Sequence, residues 1–214
     1  LTNTTTTDTV TYRMSDDNAL ARMKFSKPIV QPNPNPIPAI ERPKGSPDPI
    51  GGETDSSGGP DTFGYRWIDS DSPGGPVFNW FNIDTAGRGT QITFTSQDDG
   101  NTSIPLALPI PFYGNTYSTS MNVCTNGWIS YTSTSTAYSN SGIPSAAEPN
   151  NAIYPFWDDL NLTSGGNVKY YYDAPNTRFI VQYTNVPFYS GTGTNTFQVI
   201  LYPNGQIIIQ YLSM

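Results

Sequence analysis

The sequence predicts an all-β protein: an antiparallel, jelly-roll-like β-sandwich preceded by an extended, proline-rich N-terminal arm. Three observations predict it. From Asp61 onward, short runs of apolar and β-branched residues recur between turns rich in Gly, Asn and Pro. No stretch of that region carries a sustained helical apolar period. From Pro28 to Pro49 the chain holds eight prolines, a density that no sheet interior admits because each lacks an N–H.

The elements follow in order. Residues 1–7 are polar. Thr9–Met14 then alternates with a period of two, which places Val10, Tyr12 and Met14 on one face of a strand. Ser15-Asp16-Asp17-Asn18 is positioned to cap a helical turn over 19–23. The segment 28–49 reads as a semi-rigid polyproline II spacer, which at ~3.1 Å per residue reaches roughly 70 Å. The Gly- and Ser-rich stretch 51–60 reads as a flexible joint. The chain thus divides into an arm, 1–57, and a β-sandwich module, 58–214. Expected strands in the module are 64–68, 76–83, 90–95, 104–112, 119–124, 127–132, 152–157, 167–173, 178–185, 195–202 and 206–212.

The last hairpin is the clearest local signal. Phe197, Val199 and Leu201 alternate with Gln198, Ile200 and Tyr202, and Pro203-Asn204-Gly205 turns the chain with the positive φ that tight loops require. Ile207, Ile208 and Ile209 then run consecutively, which implies a strand buried on both faces and flanked by neighbours on both sides. The sequence stops soon after Tyr211, so that strand is expected to present an open edge.

Charge is unevenly spread. The segment 1–60 carries six Lys or Arg and seven Asp or Glu, whereas 61–214 carries four and ten. Charged side chains thus make up roughly 9% of the module, far below the ~25% of ordinary domains. Ser, Thr, Asn and Gln supply its polar surface, a habit of extracellular β-proteins. A net charge of −7 leaves no basic patch to displace counterions from nucleic acid or to seek an anionic membrane. No apolar run approaches the ~20 residues of a transmembrane helix. The chain begins at Leu1 without a basic-apolar leader, as expected of a processed secreted chain or of a fragment.

Catalytic chemistry finds little footing. There is no histidine and a single cysteine, Cys124, so Ser-His-Asp and Cys-His arrangements, histidine-containing zinc sites and thiolate clusters are absent. Cys124 lies in an alternating stretch and reads as a buried thiol. The glycine runs at 51–59 and 73–75 lack the Lys-Ser/Thr of a phosphate loop. Among acid pairs, Asp98-Asp99 reads as a turn. Asp69, Asp71, Asp158 and Asp159 are candidates for Ca²⁺ in loops of hard oxygen ligands, with no EF-hand spacing. Aromatic residues make up 13% of the chain, most of them assigned to core and cross-strand pairs. The alternative is a sugar-stacking platform using Tyr171, Tyr189 and Trp80. Asn3, Asn101 and Asn161 open N-glycosylation sequons.

The phrases GGPDTFGYRWIDSD (58–71), PGGPVFNW (73–80), LPIPFYGNTY (108–117), NVCTNGWISY (122–131) and AIYPFWDDL (152–160) resemble a β-sandwich module of secreted and bacterial cell-surface proteins. Such modules are found appended to subtilisin-like proteases or to proteins with sorting domains. The second half, with its strand, Asn-Gly, strand unit leading to Pro-Phe-Trp-Asp, is similar to nidogen-type extracellular domains. The resemblance implies an extracellular or cell-surface location and further strand-forming sequence beyond the position of Met214; it implies no activity. The function expected is a non-catalytic structural subunit. It self-assembles by β-addition, with Val10, Tyr12 and Met14 of the arm docking on the edge formed by Ile207 and Ile209 of a neighbour. A carbohydrate- or surface-binding accessory module is the alternative expectation.

Overall fold

The computed structural model describes the main chain of Thr9–Met14, residue 44, and residues 57–191 and 193–214. The helical turn expected at 19–23, most of the proline-rich spacer and the sequon at Asn3 lie outside the described residues. Fourteen strands are described: β1 Thr9–Met14, β2 Ser57–Gly58, β3 Tyr65–Asp69, β4 Thr90–Gln91, β5 Asn101–Pro105, β6 Ile110–Phe112, β7 Asn115–Tyr117, β8 Ser120–Cys124, β9 Ile129–Ser130, β10 Ala152–Ile153, β11 Asn167–Asp173, β12 Arg178–Pro187, β13 Thr194–Leu201 and β14 Ile207–Ser213. Two single-turn 3₁₀ segments lie at Leu162–Ser164 and Ala174–Asn176.

The strands form an eight-stranded sheet in the order β2-β3-β1-β14-β13-β12-β11-β4, a four-stranded sheet β10-β9-β8-β5 and the hairpin β6-β7. Each of these pairings is antiparallel. The core explains the layering. Phe179, Val181 and Tyr183 of β12, Phe197, Val199 and Leu201 of β13, and Ile207 and Ile209 of β14 all join one core cluster. There they meet Ile104, Met121, Val123 and Ile129 of the smaller sheet. Burying each such side chain contributes about 1.5–3 kcal/mol, so the three long strands anchor the fold.

The opposite face of the large sheet is also covered. Ile180, Ile200 and Ile208 stand in register across β12, β13 and β14, and Ile83 packs on them. Next to this row run Gln182, Gln198 and Gln210, also in register. The Gln210 amide brackets Asn79, accepting from its N–H at 2.8 Å and donating to its carbonyl at 3.1 Å; Gln182 accepts from the Ile83 N–H at 3.1 Å. The segment 76–83, expected as a strand, is instead an extended strap whose main chain is bonded by these glutamine side chains. That is why three consecutive isoleucines are tolerated: both faces of β14 are covered.

Other boundaries differ for local reasons. The expected strand 104–112 is split, because Pro105, Pro109 and Pro111 interrupt the supply of N–H donors. The stretches 90–95, 127–132 and 152–157 keep only two paired residues each. The strand β7 is a further difference, since Gly114-Asn115 reads from sequence as a turn alone. The outer edge of β14 is occupied by β1: Thr9, Val10, Thr11 and Tyr12 lie opposite Gln210, Ile209, Ile208 and Ile207. On its other side β1 pairs with β3 over five positions, from Val10 opposite Asp69 to Met14 opposite Tyr65.

Candidate functional site

Two features stand out: the gap between β3 and β14, filled by β1, and an acidic cage at one end of the module. The cage is assembled from three loops. The turn between β4 and β5 supplies Asp98 and Asp99. The Asn-Gly turn between β8 and β9 supplies the support. The Pro-Phe-Trp-Asp-Asp-Leu phrase after β10 supplies Asp159.

Local sequence makes these loops converge. Gly127 sits at φ +76°, and a Cβ there would lie 1.8 Å from the Phe156 carbonyl oxygen, so only glycine lets the two loops touch. The Phe156 N–H donates to the Gly127 carbonyl at 3.2 Å across that contact. Asn126 is fully buried and ties three segments together. Its amide donates to Asp99 at 2.9 Å and to the Thr136 carbonyl at 3.1 Å, and its oxygen accepts from the Leu160 N–H at 3.0 Å. The Thr125 hydroxyl accepts from the Gly100 N–H at 2.9 Å and donates to the Asp98 carbonyl, closing the other acidic turn. Asp159 is fixed on the far side: its carbonyl accepts from the Tyr189 N–H at 2.7 Å, and Leu160 forms a bridge to Phe188.

Carboxylate oxygens of Asp98, Asp99 and Asp159 lie within 4.8 Å of one another. One like-charged pair that far apart repels by roughly 3 kcal/mol at an effective dielectric of about 20, so a cation among them offsets a large strain. The Lys44 ammonium stands there, 2.9 Å from Asp98, 2.8 Å from Asp99 and 3.4 Å from Asp159. It also lies 4.7 Å and 4.5 Å from the ring centroids of Tyr138 and Tyr189. Partial burial disfavours its charge, but hydrogen bonds with Asp99 and Asp98 and the fields of Asp159 and Asp99 outweigh that and hold the ammonium well above its usual range.

The calcium candidates are therefore distributed differently from the sequence expectation. Asp69 accepts from the N–H groups of Asp71 and Ser72 at 3.1 and 3.0 Å and from the Ser72 hydroxyl at 3.1 Å, closing its own turn. Asp158 accepts from the Asp159 N–H at 2.7 Å. Asp159 joins Asp98 and Asp99, which read from sequence as a plain turn. Among the described residues this trio is the one acidic group with the spacing to hold a metal, and its hard oxygens suit Ca²⁺. Lys44 is not visible in the sequence as a partner, because Asp98 and Asp159 lie 54 and 115 residues away. A lysine within a proline-rich stretch carries no local signal.

The remaining candidates are dispersed. Trp80 stacks with Phe78, Tyr171 with Phe81, and Tyr189 faces Lys44. The Asn101 side chain donates to the Ser135 carbonyl at 2.7 Å, and Asn161 caps the first 3₁₀ turn by accepting from the Thr163 N–H at 2.8 Å. Cys124 is buried, and burial pushes its thiol up to about 12. A cleft of about 370 Å³ lies elsewhere, lined by Tyr113, Tyr154, Trp157, Asn150 and Asn151 among others.

A model of the NIDO-related family matches residues 79–214, and the chain belongs to that family. The match takes in β4 to β14 and all three acids of the cage; Lys44 and β1 to β3 precede it. The NIDO-related domain is a non-enzymatic type of domain, in keeping with this all-β fold. Comparison with curated proteins and with solved structures found no match. Among the described residues no helix is long and apolar enough to cross a membrane.

Proposed function

We propose that the protein is a non-catalytic extracellular or cell-surface subunit that self-assembles by donating β1 to the sandwich of a neighbouring copy. One observation carries the reading. β1 is an interior strand of the largest sheet, paired on both sides, yet the whole of 15–56 separates its end at Met14 from the next strand at Ser57. Without β1 the sheet splits, and β3 and β14 each present a row of unpaired N–H and C=O groups. Such edges are templates for strand addition.

Within one chain β1 occupies the gap in its own module. The identical strand of a neighbour makes the same main-chain pairs, so the exchange is nearly neutral in contacts. It is decided by linker entropy and by concentration. The proline content of the linker favours reach over recoil. Head-to-tail donation whose rotation does not close gives an open filament, the product expected here. Carboxylates along β1 would oppose docking, and Tyr12→Asp supplies one at a position opposite Ile207 and Trp67. Light scattering and electron microscopy of the full chain should reveal polymers that Tyr12→Asp lacks; a solitary monomer for the natural chain at high concentration overturns the reading.

A second reading, carbohydrate or surface binding, draws on the cleft beside Tyr154 and Trp157, whose rings stack at 4.9 Å. Aromatic faces with Asn150 and Asn151 nearby are suited to sugar rings. It predicts glycan-array binding that Trp157→Ala abolishes while assembly is unaffected. Glycans at Asn101 or Asn161 are compatible with either reading, whereas Ca²⁺ at the acid trio would have to displace the Lys44 ammonium.

A further inference from the structure

The acidic cage plays no part in strand pairing, yet it is built with more care than a solvated acidic surface requires. Asn126 and Gly127 pre-position two of its three walls, and each carboxylate lies within reach of one of the three ammonium hydrogens of Lys44. Two tyrosine rings complete the enclosure. A compact ammonium with three separate donors fits this arrangement, whereas the flat fork of an arginine does not.

We infer that the cage is an anchor for the root of the arm: it binds Lys44 of its own chain and thereby fixes the point on the module from which β1 is launched. The purpose of the anchor rests on the strand-donation reading; its geometry does not. Tether lengths decide between its own chain and a neighbour's. At full extension the chain from Lys44 to Ser57 spans at most about 45 Å, and the chain from Met14 to Lys44 spans about 100 Å. The short tether keeps Lys44 within range of its own cage, while the long one leaves β1 free to reach another molecule. Pinning the root shortens the tether between anchor and β1 to 15–43 rather than 15–56 and narrows the directions in which the arm leaves. A neighbour is then met in one orientation.

The anchor is tested on the full chain, co-assembled from light and ¹⁵N-labelled protein and treated with a carbodiimide that joins ammonium to carboxylate without a spacer. Digestion and mass spectrometry should yield a peptide joining Lys44 to Asp98, Asp99 or Asp159. It should be found only as light–light and heavy–heavy pairs, and be absent from Lys44→Met. In the unmodified protein, trypsin should cut after Lys44 at least about tenfold more slowly than in the isosteric Asp98→Asn/Asp99→Asn variant, because breaking a partly buried ion cluster releases the lysine. No Lys44-linked peptide, or equal cleavage rates in a variant with an unchanged melting temperature, overturns the anchor. Mixed light–heavy pairs also overturn it, placing Lys44 in a neighbour's cage. Failure of strand donation is a separate result: the chain stays monomeric while the light–light linkage persists.

Discussion

Replacing Thr11 with proline is the most incisive perturbation of the proposed assembly. Thr11 lies opposite Ile208 on β14 and Ile68 on β3, so its N–H belongs to one ladder or the other and cannot be spared. β1 matches four positions of β14 and five of β3. Nine main-chain pairs at about 1 kcal/mol net each give roughly 9 kcal/mol. Ordering the six residues of β1 opposes this by roughly 6 kcal/mol or more. The main-chain surplus is therefore at most about 3 kcal/mol, and a proline removes one ladder hydrogen bond and leaves its acceptor unpaired, a loss of about 1–3 kcal/mol that takes most of that surplus. Thr11→Pro should thus release the strand and abolish polymers. Hydrogen exchange read by mass spectrometry should show the 207–210 segment losing part of its protection in the same variant, at the amides that face β1, while those paired with β13 stay protected. Polymers of natural length and rate from Thr11→Pro, with the β1-facing amides still protected, would refute the reasoning.

The other predictions concern the module itself. Gly127→Ala forces a Cβ against the Phe156 carbonyl at a positive φ and should lower the melting temperature by several degrees, releasing Lys44 to trypsin at the same time. Asn126→Ala leaves the Leu160 N–H without its acceptor and removes one of the bonds to Asp99, which keeps Lys44, and should cost about 2–3 kcal/mol in a urea titration. Cys124 should resist a thiol reagent at pH 8 until the chain unfolds, because burial keeps it protonated. Asp173 is buried, which works against its charge, but hydrogen bonds from Asn176 and Arg178 hold its carboxyl below the usual range. Its folded value is depressed, so its contribution is present above about pH 4 and is lost as the pH falls through the folded value. Asp173→Asn should remove that part of the acid transition while weakening the module at neutral pH. Lys44 has the opposite sign: its contribution is complete below its unfolded value of about 10.5 and lost only at higher, strongly alkaline pH.

Local periodicity and turn chemistry carry most of the fold. The β13–β14 hairpin is legible because Asn204-Gly205 specifies its turn, with Gly205 at φ +83°, and because Phe197, Val199 and Leu201 alternate with their neighbours. The two-faced covering of Ile207, Ile208 and Ile209 is legible from their consecutive run. The strap at 76–83 reads as a strand because alternation reports an extended backbone, not what satisfies it. Its partners are the side chains of Gln182 and Gln210, far along the chain, and Val77 on the strap is 86% exposed. The cage is invisible in principle. Its acids are legible singly, Asp98 and Asp99 as a turn and Asp159 as a Ca²⁺ candidate, but their convergence depends on loop packing around Gly127 and Asn126. Its cation comes from a stretch whose proline content advertises only a spacer.

The most direct test of strand donation places cysteines at two facing main-chain positions, Thr11→Cys and Ile208→Cys, in the full chain. Oxidation followed by a non-reducing denaturing gel reads whether the bond joins one chain or two. The account predicts a ladder of dimers, trimers and higher species that collapses to monomer on reduction. A single monomeric band, shifted only by an internal loop, would place β1 permanently in its own sheet and contradict it.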